Sequence, residues 1–145
     1  YEIDKDSGAV FVDRIVNTPM FYPCNYGFVP NSLHDDGDPT DVLVLCDFDL
    51  APGVVIRCRP VGVLKMEDDG GMDDKLIAVP VEKVDPFQAN IQDLTDIPEK
   101  TRERIKHFFE HYKDLEAGKW VKVIGWGDKA EAEAILSKSI DAAEK

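Results

Sequence analysis

Val61-Gly62-Val63-Leu64-Lys65-Met66-Glu67-Asp68-Asp69-Gly70-Gly71-Met72-Asp73-Asp74-Lys75-Leu76-Ile77-Ala78-Val79-Pro80-Val81 decides the fold. Two apolar, β-branched runs, Val61 to Met66 and Lys75 to Val81, stand either side of an acidic tip, which predicts a long hairpin. Outward from it, Val54 to Arg59, Val42 to Cys46, Gly8 to Val16 and Val121 to Trp126 have the same character and are punctuated at Asp38-Pro39, Pro52-Gly53 and Gly70-Gly71. Strands this close, with no helical period between them, predict an antiparallel meander or closed barrel. From Pro98-Glu99 the period changes: Ile105, Phe108, Phe109, Tyr112 and Leu115 form one stripe, with Gly118 beyond as a stop. Asp128 predicts the cap of a second helix, packed through Ala132, Leu136, Ile140 and Ala143. The expected class is mainly β (α+β), a small closed β-barrel with two flanking helices.

The chain has 145 residues, a length for one domain, and area scaling allows about two thirds of the unfolded surface to be buried. No repeat, low-complexity tract or linker divides residues 1–145. The apolar runs are too short to cross a bilayer, and Tyr1-Glu2-Ile3-Asp4-Lys5-Asp6 carries no secretory pattern, so a cytoplasmic location is expected. Cys24, Cys46 and Cys58 are odd in number and widely spaced, which fits reduced packing thiols. With 17 Lys+Arg against 29 Asp+Glu the net charge is −12. Binding a phosphate polymer needs a basic stripe that releases counterions, so no nucleic-acid partner is expected. Cations are.

The acids are clustered. Asp35-Asp36-Gly37-Asp38-Pro39-Thr40-Asp41 places four carboxylates ahead of the Val42 strand, and the Asp68 to Asp74 tip adds four more. Turns favour Asp and Gly without any function. If both clusters meet on one barrel rim, however, five or more carboxylates surround one cavity, and their repulsion calls for cations. All-oxygen ligation selects hard ions, Mg²⁺ first, then Mn²⁺ or Ca²⁺. An EF-hand is excluded by the flanking strands and by Asp41 and Asp47 at the obligatory Gly and Glu positions. Mg²⁺ held by one or two carboxylates wants phosphate oxygens, which makes a compact polyanion the natural substrate. Arg14, Lys75, Lys113, Tyr22, Tyr26 and Tyr112 are candidate donors to it, and no glycine-rich phosphate loop is present.

Asp36-Gly37-Asp38-Pro39-Thr40-Asp41-Val42 resembles the signature of the family I soluble inorganic pyrophosphatases, the Mg²⁺-dependent bacterial type. The resemblance extends through Phe21 to Phe28, Ile56 to Gly62, the Asp68 to Lys75 hairpin and His107 to Leu115, in the family's order over nearly the whole chain. It implies an OB-like five-stranded closed barrel with helices outside it, and hydrolysis of pyrophosphate to two phosphates. It implies Asp36, Asp41 and Asp73 around the tightest metal, Asp41 bridging to a second, Asp68 with Asp73 serving a further ion, and Glu2 as an outer acid. By the same resemblance Arg14, Tyr26, Lys75, Tyr112 and Lys113 bind substrate, Tyr22 supports them and Asp38 is the general base. Several Mg²⁺ ions per site are implied, with Mn²⁺ as a substitute and Ca²⁺ as an inhibitor. His107 and His111, four apart on the first helix, match subunit contacts of a homohexamer, which acidification would loosen. The family pattern carries a lysine just before Tyr1 and more chain ahead, so the expected unit is a pyrophosphatase domain shortened at its N-terminus. The competing readings are an inactive shortened form, an oligonucleotide-binding barrel, and a Ca²⁺-binding module without turnover.

Overall fold

The computed structural model describes every residue from Tyr1 to Lys145. In chain order its strands are β1 (Glu2–Ile3), β2 (Val10–Phe11), β3 (Asn25–Phe28), β4 (Asp41–Val44), β5 (Cys58–Asp68), β6 (Gly71–Met72), β7 (Lys75–Pro80) and β8 (Val121–Gly127), with helices α1 (Glu99–His111) and α2 (Lys129–Ala143). β1 and β2 form a separate antiparallel pair. The main sheet runs β3-β4-β7-β5, where β5 also carries both β6 and β8.

β7 is buried at all six positions. Strands covered on both faces read as continuous apolar runs, and Leu76-Ile77-Ala78-Val79 is one. Side-chain alternation sends Leu43, Leu64, Met66, Ile77 and Val79 to one face, where they pack with Ile105, Phe108, Phe109 and Tyr112 of α1 and its C-cap. Val63 and Leu76 go to the other face, against Ala132 of α2. The α2 N-terminus is closed by a reciprocal capping box, Asp128 with Glu131. Gly127 is required there, because an added Cβ would run into the Glu131 carboxylate and the Val63 side chain. Neither helix is long and apolar enough to cross a membrane.

Several sequence expectations are corrected. The sheet is not an antiparallel meander, since β4 and β7 pair parallel, with Asp41 opposite Lys75. Val54 to Arg59 and Val61 to Met66 are not two strands: Val54 to Arg57 lie outside any strand, and one continuous β5 from Cys58 passes through Pro60, its register with β7 shifting between Pro60 and Gly62. Proline has no N–H to donate, so it sits where the ladder is already interrupted. Of Gly8 to Val16 only Val10–Phe11 pairs, because the segment has one short partner and packs no second face. The α1 stripe ends before Leu115, which lies in the turns after the helix and is 66% exposed. Propensity alone overlooked β3, whose strand formers Tyr26 and Phe28 alternate with the strand-poor Asn25 and Gly27, but which pairs with β4 over four residues. β3 and β8 end the pairing path, and no ladder joins them. The three cysteines are free, and burial pushes the Cys24 thiol up to about 12 and the Cys58 thiol up to about 11, so neither is a nucleophile at neutral pH.

Candidate active site

Lys75 opens β7, and its side chain is 2% exposed. A buried ammonium must find acceptors for all three protons. Its Nζ donates to Asp41 Oδ2 at 2.5 Å, to Asp73 Oδ2 at 2.8 Å and to the Tyr26 hydroxyl at 3.1 Å. Ladder register makes this possible: Asp41 of β4 lies directly opposite Lys75 of β7, and Tyr26 of β3 pairs with Leu43 in the next strand. The Nζ also lies 5.4 Å from the Tyr26 ring centroid and 5.9 Å from that of Phe109.

Charge here is delicately balanced. Burial acts to lower the Lys75 pKa, but the Asp41 and Asp73 carboxylates outweigh it and move it above the ordinary lysine value. Burial pushes Asp73 up to about 6 with help from Asp41 and Asp68, although Lys75 opposes the rise. Burial likewise raises Tyr22, Tyr26 and Tyr112 above the usual phenol range, Asp41 adding to the effect at Tyr26. One lysine between two carboxylates leaves a local surplus of negative charge.

A second ion pair adjoins the first. Lys113, just past α1, donates to Asp68 Oδ2 at 3.0 Å at the end of β5, and its Nζ lies 5.4 Å from the Tyr112 ring centroid. The hairpin register puts Asp68 opposite Gly71, while the Asp73 N–H bonds the Met66 carbonyl at 2.9 Å. The two acids are therefore near without being cross-strand partners. Tyr22 stacks on Tyr26 with ring centroids 5.0 Å apart and packs tilted against Phe108 at 4.6 Å, and Tyr112 stacks on Phe108 at 5.2 Å.

The remaining predicted residues are exposed and share none of the hydrogen bonds of this buried cluster. Asp36 and Asp38 are exposed on the loop joining β3 to β4, where Asp36 Oδ1 accepts the Asp38 N–H at 3.0 Å. Gly37 between them has φ 89°, a conformation that glycine adopts without strain. Arg14, 51% exposed, pairs with Glu116 at 3.4 Å. Glu2 is exposed in the β1–β2 pair. His107 and His111 lie on the solvent face of α1 with ring centroids 4.6 Å apart, His111 bonded to Asp114 at 2.8 Å. Sequence reasoning missed Glu116 and the pairing of Asp69 with Lys119 at 3.1 Å. Only their closeness to Lys113 and Asp68 in the chain could have suggested them.

No group of three or more carboxylate, imidazole or thiol side chains is close enough to enclose a metal ion. The donor chemistry nevertheless fits a hard cation. Asp41 and Asp73 share one positive partner at a single point, their oxygens are of the required type, and Mg²⁺ takes one or two carboxylates and completes its shell with water and phosphate.

The model of the family "Pyrophosphatase: Inorganic pyrophosphatase" matches residues 1–144. The inorganic pyrophosphatase of Xanthomonas axonopodis pv. citri is 60% identical over 141 residues, 97% of this chain and 79% of that protein. That of Rickettsia prowazekii is 58% identical over 141 residues, 97% of this chain and 82% of its own. Among solved structures, the inorganic pyrophosphatase of Helicobacter pylori superposes with a TM-score of 0.98 at 52% identity, covering 100% of this chain and 85% of the other. The Thermus thermophilus enzyme gives 0.95 at 48%, covering 100% and 83%.

Proposed function

This chain belongs to the inorganic pyrophosphatase family, and we propose that it hydrolyses pyrophosphate to two phosphates at the rim formed by the β4, β5 and β7 ends. The observation that carries this reading is Lys75: a buried cation for phosphate is held between two carboxylates suited to cations. A substrate that arrives as a metal–polyanion complex supplies both signs at once.

Asp41 and Asp73 would hold the first Mg²⁺ together with Asp36. Asp41 would share a second, Asp68 would serve a further ion, and Glu2 would be an outer acid. Bound Mg²⁺ supplies a lowered pKa for coordinated water and neutralises phosphate charge. Mn²⁺ is the expected substitute and Ca²⁺ an inhibitor. Asp38 accepts the proton of the attacking water, whose oxygen bonds to one phosphorus as the bridging P–O bond breaks. The second phosphate leaves with the bridging oxygen. Arg14, Lys75, Lys113, Tyr26 and Tyr112 donate to the phosphoryl oxygens, and Tyr22 backs Tyr26 by stacking. Preorganised donors of this kind supply most of the barrier lowering in phosphoryl transfer.

At the level of assembly we read the sheet as an OB-like barrel whose β3 and β8 edges close by packing rather than by a ladder. His107 and His111 are read as contacts of a homohexamer, and the enzyme as cytoplasmic. Light scattering checks the assembly, and a mass of one chain at neutral pH would overturn it. The activity is tested by phosphate release from pyrophosphate with Mg²⁺, an EDTA control and Asp38→Asn. Release abolished by EDTA and by the variant supports the reading. No release from folded, Mg²⁺-binding protein overturns it.

A further inference from the structure

Asp36 and Asp38 sit on an exposed loop, yet the proposed reaction needs them at fixed positions relative to Asp41 and Asp73. Main-chain bonds give the turn its shape. The His34 N–H bonds the Asp38 carbonyl at 2.8 Å, and the Gly37 N–H bonds the His34 carbonyl at 3.0 Å. They do not attach the turn to the sheet. The loop base is pinned separately, the Thr40 N–H bonding Ser32 Oγ at 3.0 Å and the Leu33 N–H bonding the Ser139 carbonyl of α2 at 2.9 Å.

Two side-chain tethers reach out from the turn. Asp35 meets Lys138 of α2 at 3.1 Å, but these side chains are 58% and 72% exposed, and such pairs are worth little. The other tether is buried. The His34 side chain is 8% exposed and that of Asp74 11%, with His34 Nε2 lying 3.5 Å from Asp74 Oδ2. Neither His34 Nε2 nor Asp74 Oδ1 has a hydrogen-bond partner, so the approach of Nε2 to Oδ2 is the one polar compensation the imidazole nitrogen has in this buried place. Asp74 stands between Asp73 and Lys75 in the chain. The contact therefore joins the base of the Asp36–Asp38 turn to the segment that carries the buried half of the site.

We propose that His34 is a positioning residue that, through Asp74, holds the Asp36–Asp38 turn in register with the Asp41–Asp73–Lys75 cluster. The inference rests on the reading of Asp38 as general base. A loop fixed at Asp41 by the β4–β7 ladder and at His34 by this contact has both ends referred to the same end of β7. Without the second fixing point only Asp41 stays aligned.

His34→Ala, Asp74→Ala, the double variant, His34→Gln and the control Asp38→Asn test the proposal. Three measurements are made on each: kcat and KM for phosphate release with saturating Mg²⁺, melting temperature, and amide exchange at Gly37 and Asp38 in the metal-free protein. Each alanine variant is expected to lower kcat about tenfold with KM held within about twofold, the scale for mild misplacement of a reacting group, and to speed exchange at both amides. The double variant should be no worse than either single one, and His34→Gln, which keeps a side-chain N–H, should recover most of the loss. If His34→Ala does not fold, Asp74→Ala makes the same comparison with the ring in place. Wild-type kcat in the alanine variants while Asp38→Asn is inactive overturns the proposal, as does unchanged exchange. Full turnover in Asp38→Asn overturns the general-base reading instead, and amide exchange alone then decides whether His34 restrains the turn.

Discussion

The two halves of the site use the same residue type in opposite ways. Asp41 and Asp73 are partly buried and share the Lys75 ammonium, Asp41 aimed by the β4–β7 ladder and Asp73 by the backbone bond from its N–H to the Met66 carbonyl. Asp36 and Asp38 are exposed, form no ion pair and are aimed by one glycine-containing turn. In the buried half, charge is bound to fold stability, because removing a partner leaves an uncompensated ion in a poorly solvated place. In the exposed half, water compensates each charge, and a substitution can change chemistry with little effect on folding. A carboxylate's role here follows from what aims it more than from the cluster it belongs to.

The largest effect should come from Lys75→Met. It is expected to cost about 3 kcal/mol of stability in EDTA, the scale for breaking a buried pair, and about 10² or more in turnover, the scale for losing a preorganised donor. Added Mg²⁺ should recover part of the stability by taking the ammonium's place between Asp41 and Asp73. Denaturant unfolding with and without Mg²⁺ measures both, and an unchanged midpoint would erase the distinction between the halves. Asp38→Asn should cut turnover by about 10² while leaving the melting temperature and Mg²⁺ titration at wild-type values. A large stability loss would place Asp38 with the buried half.

Asp41→Ala should weaken Mg²⁺ binding at both central positions. In the wild type, ligand at a hundredfold over Kd stabilises by about 2.7 kcal/mol, and the variant should keep less than half of that shift. An undiminished rise in melting temperature with Mg²⁺ would remove Asp41 from the bridging role. The smallest effect is expected from Glu2→Gln, with turnover within about twofold and unchanged melting, as for surface substitutions away from a packed contact. A loss as large as that of Asp41→Ala would make Glu2 a direct ligand of a central metal instead of an outer acid.

Most of the sheet was legible because β-branched runs and their punctuation are local: β4, β5, β7, β8 and both helices lie where the runs do. The failures have physical causes. Val12 to Val16 has strand propensity without a partner to pair with, and Asn25 to Phe28 has a partner although Asn25 and Gly27 interrupt its two strand formers. Parallel pairing of β4 with β7 leaves no local mark, since it joins segments separated by all of β5. The acid-rich segments were visible as composition, but not which acids would be buried. His34 with Asp74, and Arg14 with Glu116, were illegible because each pair is made between distant chain segments.

By itself the sequence determined most of the strand and helix segments, the acidic loops that flank β4 and β7, the net charge of −12, and membership of a pyrophosphatase family through motifs spread along the chain. These are properties of residue type and spacing. Only the tertiary structure decided that Lys75 is shared by Asp41 and Asp73, that Asp73 is pushed up to about 6, and that the Asp36–Asp38 turn is tied to β7 through His34. Desolvation and hydrogen bonding depend on what surrounds a group in space, and those surroundings exist only once β4, β5 and β7 have packed.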